Sequence, residues 1–223
     1  MWFDGKLVKD ISSKEIEMLV NGQAAEDEGI DFKAEPYGGT NATDAKKCEL
    51  CCDVTSFANA AGGYIVLGIR DKNDRASDWA FISEPEPHIE RIRKTCLDGI
   101  EPRISDLDVG AINVAKQGKV IVIRIPDGIG KPYMVRQGRN THFCCRYADG
   151  KREMSYVEIR DSFRNDWADQ RMTRLEAKMD GLITRSSTSE SPVLGAETDT
   201  LTILNPKDLE RIMEARLRKV AEE

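Results

Sequence analysis

Residues 55–71 decide the fold, and they run Thr55-Ser56-Phe57-Ala58-Asn59-Ala60-Ala61-Gly62-Gly63-Tyr64-Ile65-Val66-Leu67-Gly68-Ile69-Arg70-Asp71. The apolar, β-favouring run 64–69 predicts a central strand of a sheet. The small residues 59–63 predict that a helix ends just before it, because glycine permits a sharp turn and close backbone approach. Arg70 and Asp71 follow at the C-terminal end of the strand, where sheet proteins often carry functional groups. From the residues alone, this segment is a structural turn followed by two charged residues.

The flanking patterns predict one α+β domain over residues 1–165, a mixed sheet with flanking helices. Ser12 and Glu15 form a capping-box pattern at the start of a helix that Gly22 ends. Further patterns predict helices starting at Asp44 and Pro87, strands near 30–32 and 79–82, and hairpins around the turns 116–119 and 137–140. The second strand of the latter hairpin is expected over 141–147.

The C-terminal third predicts three further segments. A long helix is expected from Ser155 to about Thr184, a flexible polar linker over 185–204, and a final charged helix over 205–223. Apolar residues in the long helix recur at coiled-coil spacing, namely Ala168, Met172, Leu175, Met179 and Leu182. This stripe predicts a homo-oligomer paired through helix 155–184. Packing of the stripe on its own domain is the alternative.

Composition bounds the class of protein. Hydrophobic residues make up 40% and charged residues 32%, which fits a folded core rather than a disordered chain. No apolar run approaches the ~20 residues that span a bilayer, and the start lacks a secretory leader pattern, so we expect a cytoplasmic protein with no membrane partner. Cys48 and Cys51 have zinc-knuckle spacing, and Cys144 and Cys145 could complete a zinc site. Because these pairs fall in a helix and a strand pattern, we expect no zinc.

The acidic segment 26–33 carries candidate chemistry. In an extended chain Asp27 and Asp31 share one side, and Glu26 joins Asp31 only if the backbone bends near Gly29. Carboxylates beside Lys33 suit a divalent cation and a phosphate, since Mg²⁺ prefers oxygen ligands. The alternative is a solvated acidic loop leading into an edge strand.

Charge is unevenly distributed along a chain of net charge −6. Residues 1–30 hold seven acids and three bases, whereas residues 131–152 hold six bases and one acid. Two ordinary solvated surfaces would explain this distribution, and a basic surface for nucleic acid is the other interpretation.

These motifs together resemble the Schlafen AlbA-like domain over residues 13–160. The resemblance rests on Glu26, Asp31-Phe32-Lys33, Phe57-Ala58-Asn59, Gly62-Gly63 and Gly68-Ile69-Arg70-Asp71. It implies a split α/β domain that binds nucleic acid. In Schlafens, two such lobes lie around an RNA groove, and three carboxylates support metal-dependent cleavage of tRNA-like RNA.

Carried over by position, the resemblance implies a catalytic and metal centre of Glu26, Asp31 and Asp71, with Lys33 steadying phosphate charge. The expected cofactor is Mg²⁺ or Mn²⁺. Asp31 stands where glutamate is more usual, and Arg70 stands where an acid is common. Glu28 is the reserve ligand.

We therefore expect a metal-dependent endonuclease that acts on RNA, in bacterial defence or stress. The expected nucleic-acid contacts are Arg70, Lys72, Arg136, Arg139, Arg146, Lys151 and Arg152. A non-catalytic DNA- or RNA-binding regulator is the first alternative, because the fold alone does not establish cleavage. An oligomeric scaffold is the second.

Overall fold

In the computed structural model the described residues are 2–38, 42–114, 118–137, 140–148, 150–165 and 172. Internal contacts divide the chain into two units, Met1–Glu176 and Ala177–Glu223. All elements below belong to the first unit. The second unit, the predicted linker and the final helix lie outside the described residues.

A four-stranded mixed sheet forms the centre of the domain, in the order β1-β2-β7-β6. These strands are β1 (Ile30–Lys33), β2 (Gly63–Leu67), β6 (Asp108–Val114) and β7 (Gly118–Ile125). β1 and β2 are parallel, and the other neighbours are antiparallel. The predicted central strand is confirmed, since β2 lies between β1 and β7.

Among the described residues three helices flank this sheet, and the α+β class is confirmed. They are α1 (Ser13–Asn21), α2 (Asp44–Asn59) and α3 (Pro85–Gly99). Ser12 and Glu15 form the predicted capping box, in which each side chain bonds the other residue's backbone N–H. No described helix is long and apolar enough to cross a membrane.

Smaller sheets extend from the centre. β3 (Ile69–Asp71) pairs with β4 (Ala76–Trp79), and β10 (Cys144–Tyr147) pairs with β11 (Gly150–Glu153). β8 (Met134–Gln137) lies between the short β5 (Ile100–Glu101) and β9 (Asn140–His142).

Two buried clusters cover the two faces of the central sheet. Ile65 and Leu67 face α2 and α3, where they join Leu50 and Phe57. The alternate residues Tyr64 and Val66 lie on the other side with the α1 residues Ile16 and Leu19. This alternation follows from the two-residue period of a strand, and it explains why the run 64–69 is apolar throughout.

Three predicted boundaries differ from the structure. The run 64–69 is broken at Gly68, whose φ of +101° turns the chain from β2 into β3. The strand expected at 79–82 lies earlier, as β4. The strand expected over 141–147 is two strands, because β9 pairs with β8 and β10 pairs with β11.

The long helix begins near its predicted start. Residues 156–165 are helical, and Ser155 and Glu158 form a capping box of their own. Most of the predicted pairing stripe lies outside the described residues, so oligomerisation stays a prediction.

Asn59 and the glycine pair after it hold α2 against the sheets. The Asn59 amide donates to the carbonyl oxygens of Tyr133 and Cys144 and accepts from Tyr133 N–H at 2.7 Å. Gly62 has a φ of +73°, and a Cβ there would lie 2.6 Å from Asp127 N. These residues therefore have structural roles that account for the close turn.

Candidate functional site

A tight turn before β1 brings Glu26 back to the strand. Asp27 N–H donates to Ile30 O at 3.3 Å, and Asp27 Oδ1 accepts from the N–H groups of Gly29 and Ile30. The Glu26 carboxylate then accepts from Phe32 N–H at 2.8 Å. The bend near Gly29 that a Glu26–Asp31 pairing requires is therefore present.

Asp31 lies on the face of β1 that is turned towards α2, and it is 4% exposed. Lys33 Nζ lies 2.6 Å from Asp31 Oδ2, and Arg146 Nη2 lies 3.4 Å from Oδ1. Two cations therefore compensate the buried charge, as an ionised carboxylate away from water requires.

Glu26 is the electrostatically unusual member of this group. Burial and the nearby charge of Asp31 raise the pKa of Glu26 to about 7, although the Phe32 N–H bond, Lys33 and Arg146 act in the opposite direction. Burial acts to lower the pKa of Lys33, but Asp31, Asp53 and Glu26 outweigh it, so that the pKa is raised. Glu26, Asp31 and Lys33 thus form one interacting cluster.

Arg146 ties this cluster to β10. Its guanidinium donates to the backbone oxygens of Asp27 and Ile30 and lies 4.5 Å from the centre of the Phe57 ring. Its side chain is 7% exposed. In this arrangement Arg146 positions the start of β1, and its donors face protein groups rather than solvent.

Asp53 belongs to the same region, and the sequence analysis missed it. It is 4% exposed on α2, accepts from the Tyr37 hydroxyl at 2.7 Å and pairs with Lys151. A charged residue on the apolar face of a helix is the signal that could have found it, since Asp53 lies between Leu50 and Phe57 at helical spacing. Burial, followed by the charges of Asp53 and Asp31, raises the pKa of Tyr37.

Asp71 lies apart from these contacts. It is exposed at the end of β3, with Arg70 and Lys72 exposed beside it, and Arg70 donates to Trp79 O at 2.9 Å.

Glu28 is also exposed, in the turn before β1. Within the described ranges, no group of three or more His, Cys, Asp or Glu side chains is arranged to hold a metal ion. The structure therefore brings Glu26, Asp31 and Lys33 together, while the three-carboxylate centre stays a prediction.

The described basic residues of 131–152 all have carboxylate partners. Besides Arg146 and Lys151, the pairs are Lys131–Asp127, Arg136–Glu101 and Arg152–Glu158. Arg152 also lies over the Tyr147 ring at 3.7 Å. Arg139 lies outside the described residues. Paired carboxylates therefore already neutralise the positive charge of the described cations of residues 131–152.

The cysteines are grouped differently from their sequence spacing. Cys51 is buried in the core and its Sγ lies 3.7 Å from Thr95 O. Burial raises the pKa of Cys51 to about 12. Cys52, rather than Cys51, is the helix thiol that interacts with Cys144, where it lowers the pKa of Cys144, and all of these thiols are free. The two pairs with knuckle spacing thus do not meet as pairs.

A cleft of about 850 Å³ opens beside Glu26, at the N-terminal ends of β1 and β2. Its lining combines aromatic and acidic side chains with the backbone of the glycine pair, and includes Trp2, Tyr64, Glu26, Asp27, Glu28, Asp127 and Arg124. Trp2 Nε1 donates to the Asp27 carboxylate at 2.7 Å, which fixes the indole at the rim. The volume suits a ligand of nucleotide size.

Comparison with known proteins identifies the family. Residues 26–155 match the family described as Schlafen, AlbA_2. The match covers more than half of the chain, and the chain belongs to this family. Its function is accordingly related to nucleic acid.

Other comparisons add little to this assignment. No curated protein matches the sequence. Among solved structures, the chain is similar to the DIP2311 protein from Corynebacterium diphtheriae, with 20% identity and a TM-score of 0.44. The similarity covers 67% of this chain and 27% of that one, so this chain spans about a quarter of the length of that relative.

Proposed function

We propose that this protein binds RNA and cleaves it at the cluster formed by Glu26, Asp31 and Lys33. The observation that carries the proposal is the meeting of two carboxylates and a lysine, where one of the carboxylates, Glu26, lines an open cleft. Carboxylates and a lysine are the groups that phosphodiester cleavage uses to activate a nucleophile and to compensate phosphate charge.

Lys33 is the cation of the cluster best placed to reach a ligand. Its side chain is 32% exposed, whereas that of Arg146 is 7% exposed. A phosphate that approaches the cluster would compete with Asp31 for the Lys33 ammonium group. Arg146 and Lys151 would act as positioning residues, because Arg146 pairs with Asp31 and Lys151 pairs with Asp53.

Mg²⁺ or Mn²⁺ is part of the proposal, and the cluster has donors of the required kind. Mg²⁺ is commonly held by one or two carboxylates together with waters and substrate phosphates. Glu26 and Asp31 would supply these two carboxylates, and Asp71 is the third ligand that the family resemblance implies. A bound ion would lower the pKa of a water molecule and compensate phosphate charge.

A cleavage assay tests the proposal directly. Total tRNA is incubated with the full chain and Mn²⁺, and the products are separated on a gel. We expect discrete fragments with the wild type and their loss in Glu26→Gln and Asp31→Asn. Asp78→Asn is the matched control, because Asp78 is an exposed acid on β4. Intact tRNA with the wild type, or equal cleavage by Glu26→Gln, would refute catalysis at this cluster.

A non-catalytic nucleic-acid-binding regulator is the second candidate. The observation in its favour is that Asp31 and Asp53 are both buried and ion-paired, which is also the arrangement of a purely structural network. Binding of RNA or DNA without cleavage, at any divalent-ion concentration tested, would support this function.

A further inference from the structure

A second cleft lies between the C-terminal half of α3 and the segment that follows β5. Its volume is about 430 Å³. Three cations line it together with an apolar floor, namely Arg93, Lys94 and Arg103 with Cys96, Leu97, Ile100, Ile104 and Leu107. We refer to this site as the α3 cleft.

The charge of the α3 cleft differs from that of the cleft beside Glu26. No acidic side chain lines it, whereas Glu26, Asp27, Glu28 and Asp127 line the other. Lys94 and Arg103 are exposed, and within the described residues neither forms an ion pair. Arg93 is held by one bond, from Nη2 to Val109 O at 2.5 Å.

The α3 cleft also contrasts with the basic segment 131–152. There the described cations are already paired with carboxylates, so a phosphate would have to displace a partner at each one. At Lys94 and Arg103 a phosphate would displace only water and counterions, and counterion release is the main source of affinity for a polyanion. The apolar floor is accessible as well, because Leu97 is 52% exposed.

We propose that the α3 cleft binds single-stranded nucleic acid, with phosphates on Lys94 and Arg103 and an unstacked base or sugar on the apolar floor. This inference rests on the proposed nucleic-acid function and identifies a binding surface for it. A single strand fits the chemistry because its bases are free to leave the stack, whereas a duplex keeps their apolar faces inside. The cleft would thus anchor a strand away from the Glu26 cluster.

The test compares two charge-reversed forms of the full chain. Lys94→Glu/Arg103→Glu and Lys9→Glu/Lys14→Glu make the same change in net charge, and all four residues are exposed. Binding is measured by fluorescence anisotropy with a labelled single-stranded RNA of about 12 nucleotides, within the range of known single-strand sites. EDTA is present throughout to suppress metal-dependent cleavage.

We expect the α3-cleft variant to bind at least about tenfold more weakly, and the slope of log K against log salt to fall by about 1.4, as the loss of two phosphate contacts requires for a single strand. The control should stay within about twofold of the wild type. Leu97→Ser should weaken binding while leaving the salt slope unchanged. Lys94→Gln/Arg103→Gln, which removes charge without reversing it, should give an intermediate loss, and thermal unfolding checks that each variant is folded.

Three outcomes would overturn the inference. If both charge-reversed variants lose the same affinity for RNA, the loss is caused by net charge and not by the α3 cleft. Unchanged affinity in the α3-cleft variant would show that the strand binds elsewhere. Binding to vesicles of phosphatidylglycerol that depends on Lys94 and Arg103, without RNA binding at the cleft, would assign it to an anionic lipid. Failure of the wild type to bind any RNA or DNA would instead refute the proposed function itself.

Discussion

Arg146 Nη2 lies 3.4 Å from Asp31 Oδ1, and the two side chains are only 7% and 5% exposed. This contact joins β10 to β1 across 115 positions of sequence. The same guanidinium bonds the backbone on both sides of the turn before β1, at Asp27 O and Ile30 O. The position of the candidate cluster therefore depends on a residue of a different sheet.

Replacing Arg146 should destabilise the fold strongly. Arg146→Ala leaves Asp31 with Lys33 as its remaining partner, and breaking a buried pair from one side costs about 3–5 kcal/mol. The matched control is Arg136→Ala, whose pair with Glu101 is 63% and 56% exposed and should contribute little to stability. Urea unfolding gives both values. Similar losses in the two variants would contradict a structural role for Arg146.

Glu26 should make stability depend on pH in the metal-free protein. Its pKa is raised to about 7 from an ordinary 4.5, so between these values the folded state holds a proton that the unfolded state has lost. Stability should therefore fall as pH rises through this window. Glu26→Gln keeps an oxygen for Phe32 N–H and removes the ionisation.

The thermal midpoint of Glu26→Gln should thus rise relative to the wild type between pH 5 and 8, with the gain complete above about pH 7. Glu28→Gln is the control, because Glu28 is exposed in the same turn. A constant difference between Glu26→Gln and the wild type across this range would be inconsistent with the raised pKa.

The glycine pair should resist substitution for reasons of packing. Gly62→Ala puts a Cβ 2.6 Å from Asp127 N and 2.7 Å from Ile125 O at a φ of +73°. Backbone strain and overpacking each cost about 1–3 kcal/mol, so a loss of about 2–6 kcal/mol is expected. Gly150→Ala separates the two effects, since its φ is +113° and nothing lies within 4 Å of the added Cβ. Chemical denaturation of both should show the larger loss at Gly62.

Much of the fold could be predicted from sequence because its strongest signals are local. The run 64–69 is apolar on both faces, and the capping box at Ser12 needs only Glu15, three residues away. The break at Gly68 was not predicted, because glycine adopts both negative and positive φ angles. The sequence alone therefore does not reveal which of them a single glycine in an apolar run will have. The division of 141–147 into two strands depends on partners, β8 and β11, that the local pattern does not identify.

The candidate site was predictable only in part, since its contacts are long-range. The pairing of Glu26 with Asp31 required a bend that the sequence permitted but did not dictate. Asp53 was missed because a charged helical residue is usually solvated, and its partners Tyr37 and Lys151 lie 16 and 98 positions away. The basic segment 131–152 was expected as a surface for nucleic acid, but the structure pairs its described cations with carboxylates.

Oligomerisation through the long helix can be tested in solution. The predicted stripe includes Leu175 and Met179, and aspartate at both positions would bring charge into a paired apolar seam. Light scattering should then give a mass near the 25.0 kDa of one chain, against a multiple of it for the wild type. Arg174→Asp/Lys178→Asp, on the flank of the stripe, should leave the assembly intact. Equal masses for all three proteins would contradict pairing through this stripe.

Divalent-ion dependence separates the two proposed functions, and it can be measured without relying on cleavage alone. Glu26 and Asp31 supply two carboxylates, and Asp71 lies exposed on β3 without a described contact to either. We expect EDTA to abolish tRNA cleavage and Mn²⁺ to restore it. Direct titration of Mn²⁺, followed by electron paramagnetic resonance, should show binding that is weakened in Glu26→Gln and in Asp31→Asn and unchanged in Asp78→Asn.

Asp71→Asn then decides the role of the third carboxylate. If the family pattern holds in this chain, Asp71→Asn should weaken Mn²⁺ binding as much as Asp31→Asn does. Unaltered binding would limit the ion to Glu26 and Asp31, with substrate phosphate and waters as its other ligands. Lys33→Ala provides an independent check, because it removes the cation that pairs with Asp31 and should strengthen Mn²⁺ binding while slowing cleavage. Cleavage that persists in EDTA, with no Mn²⁺ bound by the wild type, would refute metal dependence and leave the cluster to act through its own carboxylates.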